Sequence, residues 1–194
     1  MIGQTVTLRD YVVDSGLLSD SMIRDLKFIS PFSEGVKRSG TISYGLSSYG
    51  YDVRLGAQFA RPVNGLIDPK DMAKCGWERF TAQYYIDIPP NDFVLAETVE
   101  TIAMPADVLG ICVGKSTYAR CGLVVNTTPL EPGWCGKVTL ELSNTTKLPI
   151  RVYVGEGIAQ VLFFVGAEAC DVTYADKSGK YQNQTGLTLP KVDE

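Results

Sequence analysis

Apolar residues beyond position 40 occur in short runs, some alternating with polar residues and some continuous, and both patterns predict β-strands. Turn signals such as Pro89-Pro90-Asn91 and Gly155-Glu156-Gly157 separate these runs. Many short strands at this spacing favour a sandwich or a small barrel. The predicted strands are Ser43–Tyr44, Tyr51–Ala60, Tyr84–Ile88, Phe93–Ile102, Val108–Val113, Leu123–Thr127, Lys137–Ser143, Ile150–Val154 and Ile158–Val165.

The first forty residues differ, because their apolar positions recur at helical spacing. One short helix is predicted over residues 7–15, where Thr7 and Asp10 form a capping-box pattern, and a second from Ser21 to Phe28. Residues 30–40 are rich in Ser, Pro and Gly and predict a loop. No repeat or linker divides the chain, so we expect a single domain over residues 1–194.

The composition narrows the classes of function that the chain could have. The chain is 45% hydrophobic and 21% charged, which is typical of a globular domain. Its net charge of −4 disfavours a general nucleic-acid or membrane-surface binder, because phosphate contacts need a basic excess. No apolar stretch approaches the ~20 residues of a membrane helix, and the start lacks a basic-then-apolar signal pattern. We therefore expect a cytoplasmic protein.

The chain contains no histidine, which excludes Ser-His and Cys-His nucleophile pairs and every His-containing zinc site. Its five cysteines are widely spaced and form no Cys-x-x-Cys pair. That spacing argues against a zinc ribbon or a thioredoxin-like motif and favours reduced thiols.

The run from Lys115 to Arg120 combines two cations with hydroxyl groups, a set that suits phosphate oxygens. It is not a phosphate-loop motif, because Leu109 stands where that motif requires Gly. A polar loop between two strands is the alternative, and these residues alone do not decide between the two.

The predicted strand Lys137–Ser143 carries one carboxylate, Glu141, on the face opposite its apolar residues. An isolated carboxylate on a strand suits proton transfer. An ordinary solvated face is the alternative. The functional interpretation requires a pocket shared with Arg120, whose guanidinium would hold Glu141 ionised.

Three further segments have two interpretations each. Gln160 is a polar residue within an apolar strand, and it is either a ligand contact or a hydrogen-bonded amide in the core. The polar segment 176–194 is either a mobile terminus or a flexible lid over a charged ligand, with Gly179 and Gly186 as hinges. Residues 43–54 predict either a structural turn with a Tyr cluster or a subunit contact.

Together these segments resemble the dCTP deaminase family within the dUTPase-like superfamily. The resemblance extends from about Asp20 to Pro190 and leaves residues 1–19 outside it as an N-terminal extension. It depends on five motifs in family order, which are Ser43–Asp52, Gly114–Leu123, Gly136–Asn144, Gly155–Gln160 and Gly179–Gly186.

The resemblance implies a mainly β, distorted jelly-roll or β-barrel fold of the dUTPase-like type with short N-terminal helices. It implies a homotrimer with active sites between subunits, and hydrolysis of dCTP to dUTP and ammonia in pyrimidine deoxynucleotide biosynthesis, toward dUMP and dTTP. It also implies Mg²⁺ bound with the triphosphate, and dTTP as an inhibitor. Zinc is not expected, because the sequence lacks the His and the Pro-Cys-x-x-Cys motif of the zinc deaminase signature.

The resemblance also assigns roles to residues. Glu141 matches the proton shuttle, and Ser116 and Arg120 match the residues that position the water and the carboxylate. No residue matches a direct metal ligand. The matched nucleotide contacts are Lys115, Ser116, Thr117, Tyr118, Ala119, Arg120, Thr139, Leu140, Glu141, Gln160, Tyr174, Lys180 and Gln184.

One departure leaves alternatives open. The bend over residues 127–134 is shorter than in some family members, and Glu131 stands near an Asp that activates water in dUTPases. A bifunctional dCTP deaminase and dUTP diphosphatase, or a dUTPase, is therefore an alternative, although we expect dUTP to persist. A non-catalytic nucleotide-sensing trimer is the alternative from another class. The joint presence of Glu141, Ser116 and Arg120 argues against it.

Overall fold

A computed structural model describes residues 16–192, so the helix predicted over residues 7–15 lies outside the described range. The described chain folds into strands with two short helices, α1 (Asp20–Leu26) and α2 (Ser116–Ala119). The strands are β1 (Gly16–Leu17), β2 (Ile29–Ser30), β3 (Gly45–Ser47), β4 (Gly50–Gly65), β5 (Cys75–Thr81), β6 (Tyr85–Ile88), β7 (Phe93–Ala103), β8 (Val108–Gly114), β9 (Leu123–Asn126), β10 (Cys135–Asn144), β11 (Ile150–Tyr153) and β12 (Gly157–Val165).

The strands form one large antiparallel sheet and a small one. The main sheet has the order β1-β12-β4-β7-β10-β9, with β8 paired to β12, β2 to β7, and β3 and β5 to β4. Strands β6 and β11 form the small sheet. Register irregularities in β4, β10 and β12 bend these strands, and the sheet curls around one apolar core. The predicted mainly β, barrel-like fold is confirmed.

Strand β10 has the alternation that its sequence predicts. Val138, Leu140 and Leu142 are buried in the core, while positions 137, 139, 141 and 143 are only partly buried. Because fully burying a Leu side chain stabilises the fold by about 2 kcal/mol, this pattern fixes which face of β10 points outward. Glu141 therefore lies on the outer face of a rigid strand.

Eight of the nine predicted strands overlap observed strands, and the ninth is displaced. The prediction for Ser43–Tyr44 is wrong, because Tyr44 forms only an isolated bridge with Val36 and β3 begins at Gly45. Helix α1 ends at Leu26, two residues before its predicted end. There Lys27 adopts a left-handed conformation with φ of 52°, and the chain turns into β2.

Four elements were not predicted: β1, β2, β5 and α2. Strand β5 pairs with the second half of β4, which contains Pro62 and Gly65 and therefore has turn-like residues in its sequence. A register shift after Pro62 accommodates the missing N–H within the pairing. Helix α2 has four residues, too few for a helical period to be detected.

The C-terminal segment folds back along the start of β10. Asn183 N donates to Cys135 O (2.8 Å), and Lys137 N donates to Gln184 O (3.0 Å). The Gln182 amide accepts from Cys135 N (3.1 Å) and donates to Gly133 O (3.0 Å). The described part of the segment thus has a packed position, while its predicted mobility stays a prediction. Within residues 16–192, no helix has the length and apolar character needed to cross a membrane.

Candidate active site

A cavity of about 730 Å³ lies between the sheet, the bend after β9 and the C-terminal segment. Its walls are largely apolar side chains with a few polar groups, as is usual for small-molecule sites. Two carboxylates line it, Glu131 and Glu141, together with one cation, Lys180.

Glu141 is positioned by two neighbouring strands. It lies opposite Leu95 of β7 and Asn126 of β9, and its side chain is partly buried. Burial raises the pKa of Glu141 from 4.5 to about 7, because desolvation penalises the ionised form. A carboxyl group with a pKa near neutrality suits general acid–base chemistry. In this chain burial sets that pKa, without a contribution from the Arg120 guanidinium.

Four buried polar atoms in residues that line the cavity have no hydrogen-bond partner among the described residues. They are Trp77 Nε1, Thr127 Oγ1, Glu141 Oε2 and Gln184 Oε1. Leaving a buried polar group unpaired costs about 1–3 kcal/mol, so such groups are rare. Their concentration around one cavity indicates that a ligand or ordered water supplies their partners.

Two of these four residues were not predicted. Trp77 lies on β5, an element that the sequence patterns did not reveal, and Thr127 carried no signal beyond a strand end. The thiol of Cys112 is the polar neighbour of Thr127, and burial raises the pKa of Cys112 to about 11. Cys112 therefore stays protonated at neutral pH and is not a nucleophile.

Five of the predicted contact residues line this cavity: Thr139, Glu141, Tyr174, Lys180 and Gln184. Lys180 and Gln184 belong to the C-terminal segment, and Tyr174 lies two residues before it. The Gln184 amide donates from Nε2 to the Lys137 carbonyl, which leaves Oε1 as the unpaired acceptor. Leu140 differs from its neighbours on β10, because its side chain is fully buried in the core.

The run from Lys115 to Arg120 lies outside this cavity. Lys115 forms a largely buried ion pair with Asp52, with Nζ and Oδ2 2.5 Å apart. Arg120 is exposed, and its Nη1 donates to the Ser116 carbonyl (3.3 Å). Thr117 and Ala119 are also exposed. Within one chain, the predicted catalytic groups Ser116 and Arg120 therefore do not share the cavity of Glu141.

The two remaining predicted contacts have internal partners. The Tyr118 side chain is buried, and its hydroxyl accepts from Tyr153 N (3.0 Å), which anchors α2 to β11. Gln160 Nε2 donates to Ser47 Oγ (2.9 Å), so the interpretation of Gln160 as a hydrogen-bonded amide is satisfied. Ligand contacts by these two residues stay predictions.

Comparison with known proteins points to one family. A family model described as dCTP deaminase-like matches residues 18–166. The dCTP deaminase of Acidobacterium capsulatum is 55% identical over 180 residues, covering 90% of this chain and 98% of that protein. The dCTP deaminase of Sulfurovum sp. is 52% identical over 184 residues, covering 91% and 97%.

One solved structure shares the fold. The crystal structure of 2′-deoxycytidine 5′-triphosphate deaminase from Agrobacterium tumefaciens matches with a TM-score of 0.59 and 22% identity. The match covers 79% of this chain and 49% of that chain. At this identity the likeness concerns the fold alone.

Proposed function

The chain belongs to the dCTP deaminase-like family, and from that premise we propose that it hydrolyses dCTP to dUTP and ammonia. One observation carries the proposal: a buried carboxyl, Glu141, with a pKa of about 7 lies in a cavity with unpaired polar atoms. Such a group can take a proton from water and return it to a leaving amine at neutral pH.

The reaction needs one water molecule and a shuttled proton. Glu141 takes a proton from water while the water oxygen attacks C4 of the cytosine ring. Glu141 then passes that proton to N3 of the ring. Glu141 then takes the hydroxyl proton of the tetrahedral intermediate and delivers it to the 4-amino group. The C4–N bond breaks, ammonia leaves, and C4 becomes the carbonyl of uracil. Glu141 ends each cycle ionised, as it began.

The residues of this chain suit deamination by protein side chains without a zinc ion. The sequence has no histidine, and the described residues contain no cluster of three or more Cys, Asp or Glu suited to a metal ion. Mg²⁺ fits in another way, since it binds triphosphates through phosphate oxygens and one or two carboxylates. The ion would be held through the phosphate oxygens of the nucleotide and would neutralise phosphate charge; Glu131, the lining carboxylate on that bend, is paired with Lys177 (3.3 Å).

Charge supports a site completed by a second subunit. The triphosphate of dCTP carries about four negative charges, whereas the described cavity lining offers one cation and two carboxylates. Arg120 and Ser116 are exposed on α2 and are suited to meet a ligand on a neighbouring chain. We therefore propose a homotrimer in which α2 of one subunit closes the cavity of the next. Lys115 would join only by giving up its pairing with Asp52.

Mixing two inactive variants tests this arrangement. Glu141→Gln and Arg120→Ala should each lower deamination by at least about a hundredfold when assembled alone. Random mixed trimers should recover roughly a quarter of wild-type activity, because some sites combine both intact residues from different subunits. Products are resolved as dUTP, dUMP and ammonia, with dUTP assayed in parallel and expected to persist. A wild-type protein that releases no ammonia from dCTP refutes the function, and mixtures without recovery refute the shared site.

A further inference from the structure

Trp77 is a residue with no role in the reaction described above, yet its side chain belongs to the same cavity. It lies on β5, opposite Pro62 of β4, and packs edge-on against Phe93 with ring centroids 6.3 Å apart. Its indole Nε1 is buried and has no acceptor among the described residues. Because an indole N–H can only donate, it requires an acceptor atom that residues 16–192 do not provide.

We propose that the Trp77 indole N–H donates a hydrogen bond to the ring carbonyl oxygen of the bound pyrimidine, and so fixes the orientation of the base. This inference deepens the proposed function and rests on it. It names a substrate-binding residue on a strand that none of the family-like motifs includes.

The surroundings of Trp77 favour a base over a phosphate. Trp77 packs with Phe93 against the apolar cluster of Ala60, Leu95 and Leu187, and the cavity lining also includes the apolar side chains of Ile67 and Pro190. An aromatic ring is stabilised by such a wall, whereas a phosphate would lose its hydration without a compensating cation. Among the described residues that line the cavity, Lys180 of the C-terminal segment is the one cation. A neutral carbonyl is therefore the acceptor that suits this part of the cavity.

The sheet register relates Trp77 to the reacting carbon. Leu95 lies opposite Glu141, and Phe93, which packs against Trp77, lies two residues before Leu95 on the same face. The side chains of Trp77 and Glu141 therefore border the apolar wall of β7 from different sides. A pyrimidine ring lying on this wall presents C4 to Glu141 and its carbonyl at C2 to Trp77.

Trp77→Phe removes the donor while it keeps an aromatic ring against Phe93. Binding is measured in the Glu141→Gln background, so that dCTP stays intact. We expect dCTP affinity to fall about five- to tenfold, the value of one neutral hydrogen bond. With 2-thio-dCTP, whose sulfur is a poor acceptor, the two proteins should bind within about twofold of each other.

Thermal unfolding of the free protein distinguishes a binding role from a structural one. Trp77→Phe should lower the unfolding midpoint only by the packing that the smaller ring loses, because the N–H it removes is unpaired. Trp134→Phe is the matched comparison and should lower it, because Trp134 Nε1 donates to the Tyr181 carbonyl (3.0 Å). The dCTP-induced rise in midpoint should shrink for Trp77→Phe.

Three results would overturn the inference. They are unchanged dCTP affinity in Trp77→Phe, an equal loss with dCTP and 2-thio-dCTP, and a midpoint of the free variant lowered as much as in Trp134→Phe. None of these depends on turnover. A wild-type protein that binds dCTP without releasing ammonia would refute the proposed reaction and still allow Trp77 to be tested.

Discussion

Replacing Glu141 by Gln should have opposite effects on activity and on stability. The amide keeps the shape of the side chain but can neither carry the charge nor accept the proton. Deamination should fall by at least about a hundredfold, the usual contribution of a general base. Folding stability at alkaline pH should rise, because the substitution removes a carboxylate that burial makes unfavourable.

The size of this stability change follows from the pKa of Glu141. Burial raises it from 4.5 to about 7, so the folded state binds the proton more tightly than the unfolded chain does. The native protein is unaffected below about pH 4.5 and loses stability as the pH rises through about 7. The difference between the two pKa values corresponds to about 3 kcal/mol of folding free energy. Because Glu141 is partly exposed, solvent screening reduces this to ~2 kcal/mol.

Denaturant unfolding at pH 4.5 and pH 8 measures this effect. Both proteins carry Arg120→Ala, so that no neighbouring guanidinium lowers the pKa of Glu141. The difference in unfolding free energy between Glu141→Gln/Arg120→Ala and Arg120→Ala should be ~2 kcal/mol larger at pH 8 than at pH 4.5. Protomer concentration is held constant, because an oligomer unfolds at a concentration-dependent midpoint. Glu168→Gln, at an exposed position, serves as the control and should show no comparable pH dependence.

Two results would refute the reasoning. An equal stability difference at both pH values would mean that burial does not penalise the Glu141 carboxylate. Undiminished dCTP turnover by the variant would remove Glu141 from the chemistry, whatever its effect on stability.

Two further predictions concern the completed site. Truncation after Ala175 removes Lys180 and Gln184 and should raise the KM for dCTP about tenfold or more in steady-state kinetics; an unchanged KM would show that the segment does not contact the ligand. If Arg120 of a neighbouring subunit approaches Glu141, its charge lowers the pKa of Glu141, and the acidic limb of the kcat/KM profile should lie below pH 7. In Arg120→Ala only burial acts on Glu141, so the residual activity should show this limb at about pH 7. A limb at the same pH in both proteins would place Arg120 away from Glu141.

The features that could be predicted from sequence are those with a local pattern. Alternation along 137–143 identified both the buried face of β10 and the strand position of Glu141, because period two is a property of any half-buried strand. The tail residues Tyr174, Lys180 and Gln184 came from the family resemblance, and the structure places them in the cavity.

The rest depends on tertiary structure that no local pattern encodes. Trp77, Thr127, Glu141 and Gln184 converge on one cavity from segments far apart in the chain. Strand β5 was missed because its partner contains Pro62, which in isolation indicates a turn rather than a strand. The separation of Arg120 from Glu141 within one chain likewise emerges only when the strands are assembled.

The C-terminal segment has a second consequence besides supplying contacts. Tyr181, Thr188 and Pro190 help to enclose the cavity that holds Glu141. Because desolvation causes the raised pKa of that carboxyl, exposing the cavity would let water solvate the carboxylate and return its pKa toward 4.5. If the segment closes over the substrate as the sequence predicts, closure would exclude water and make Glu141 a stronger base in the same movement. Glu141 would then have its raised proton affinity only while the substrate is enclosed.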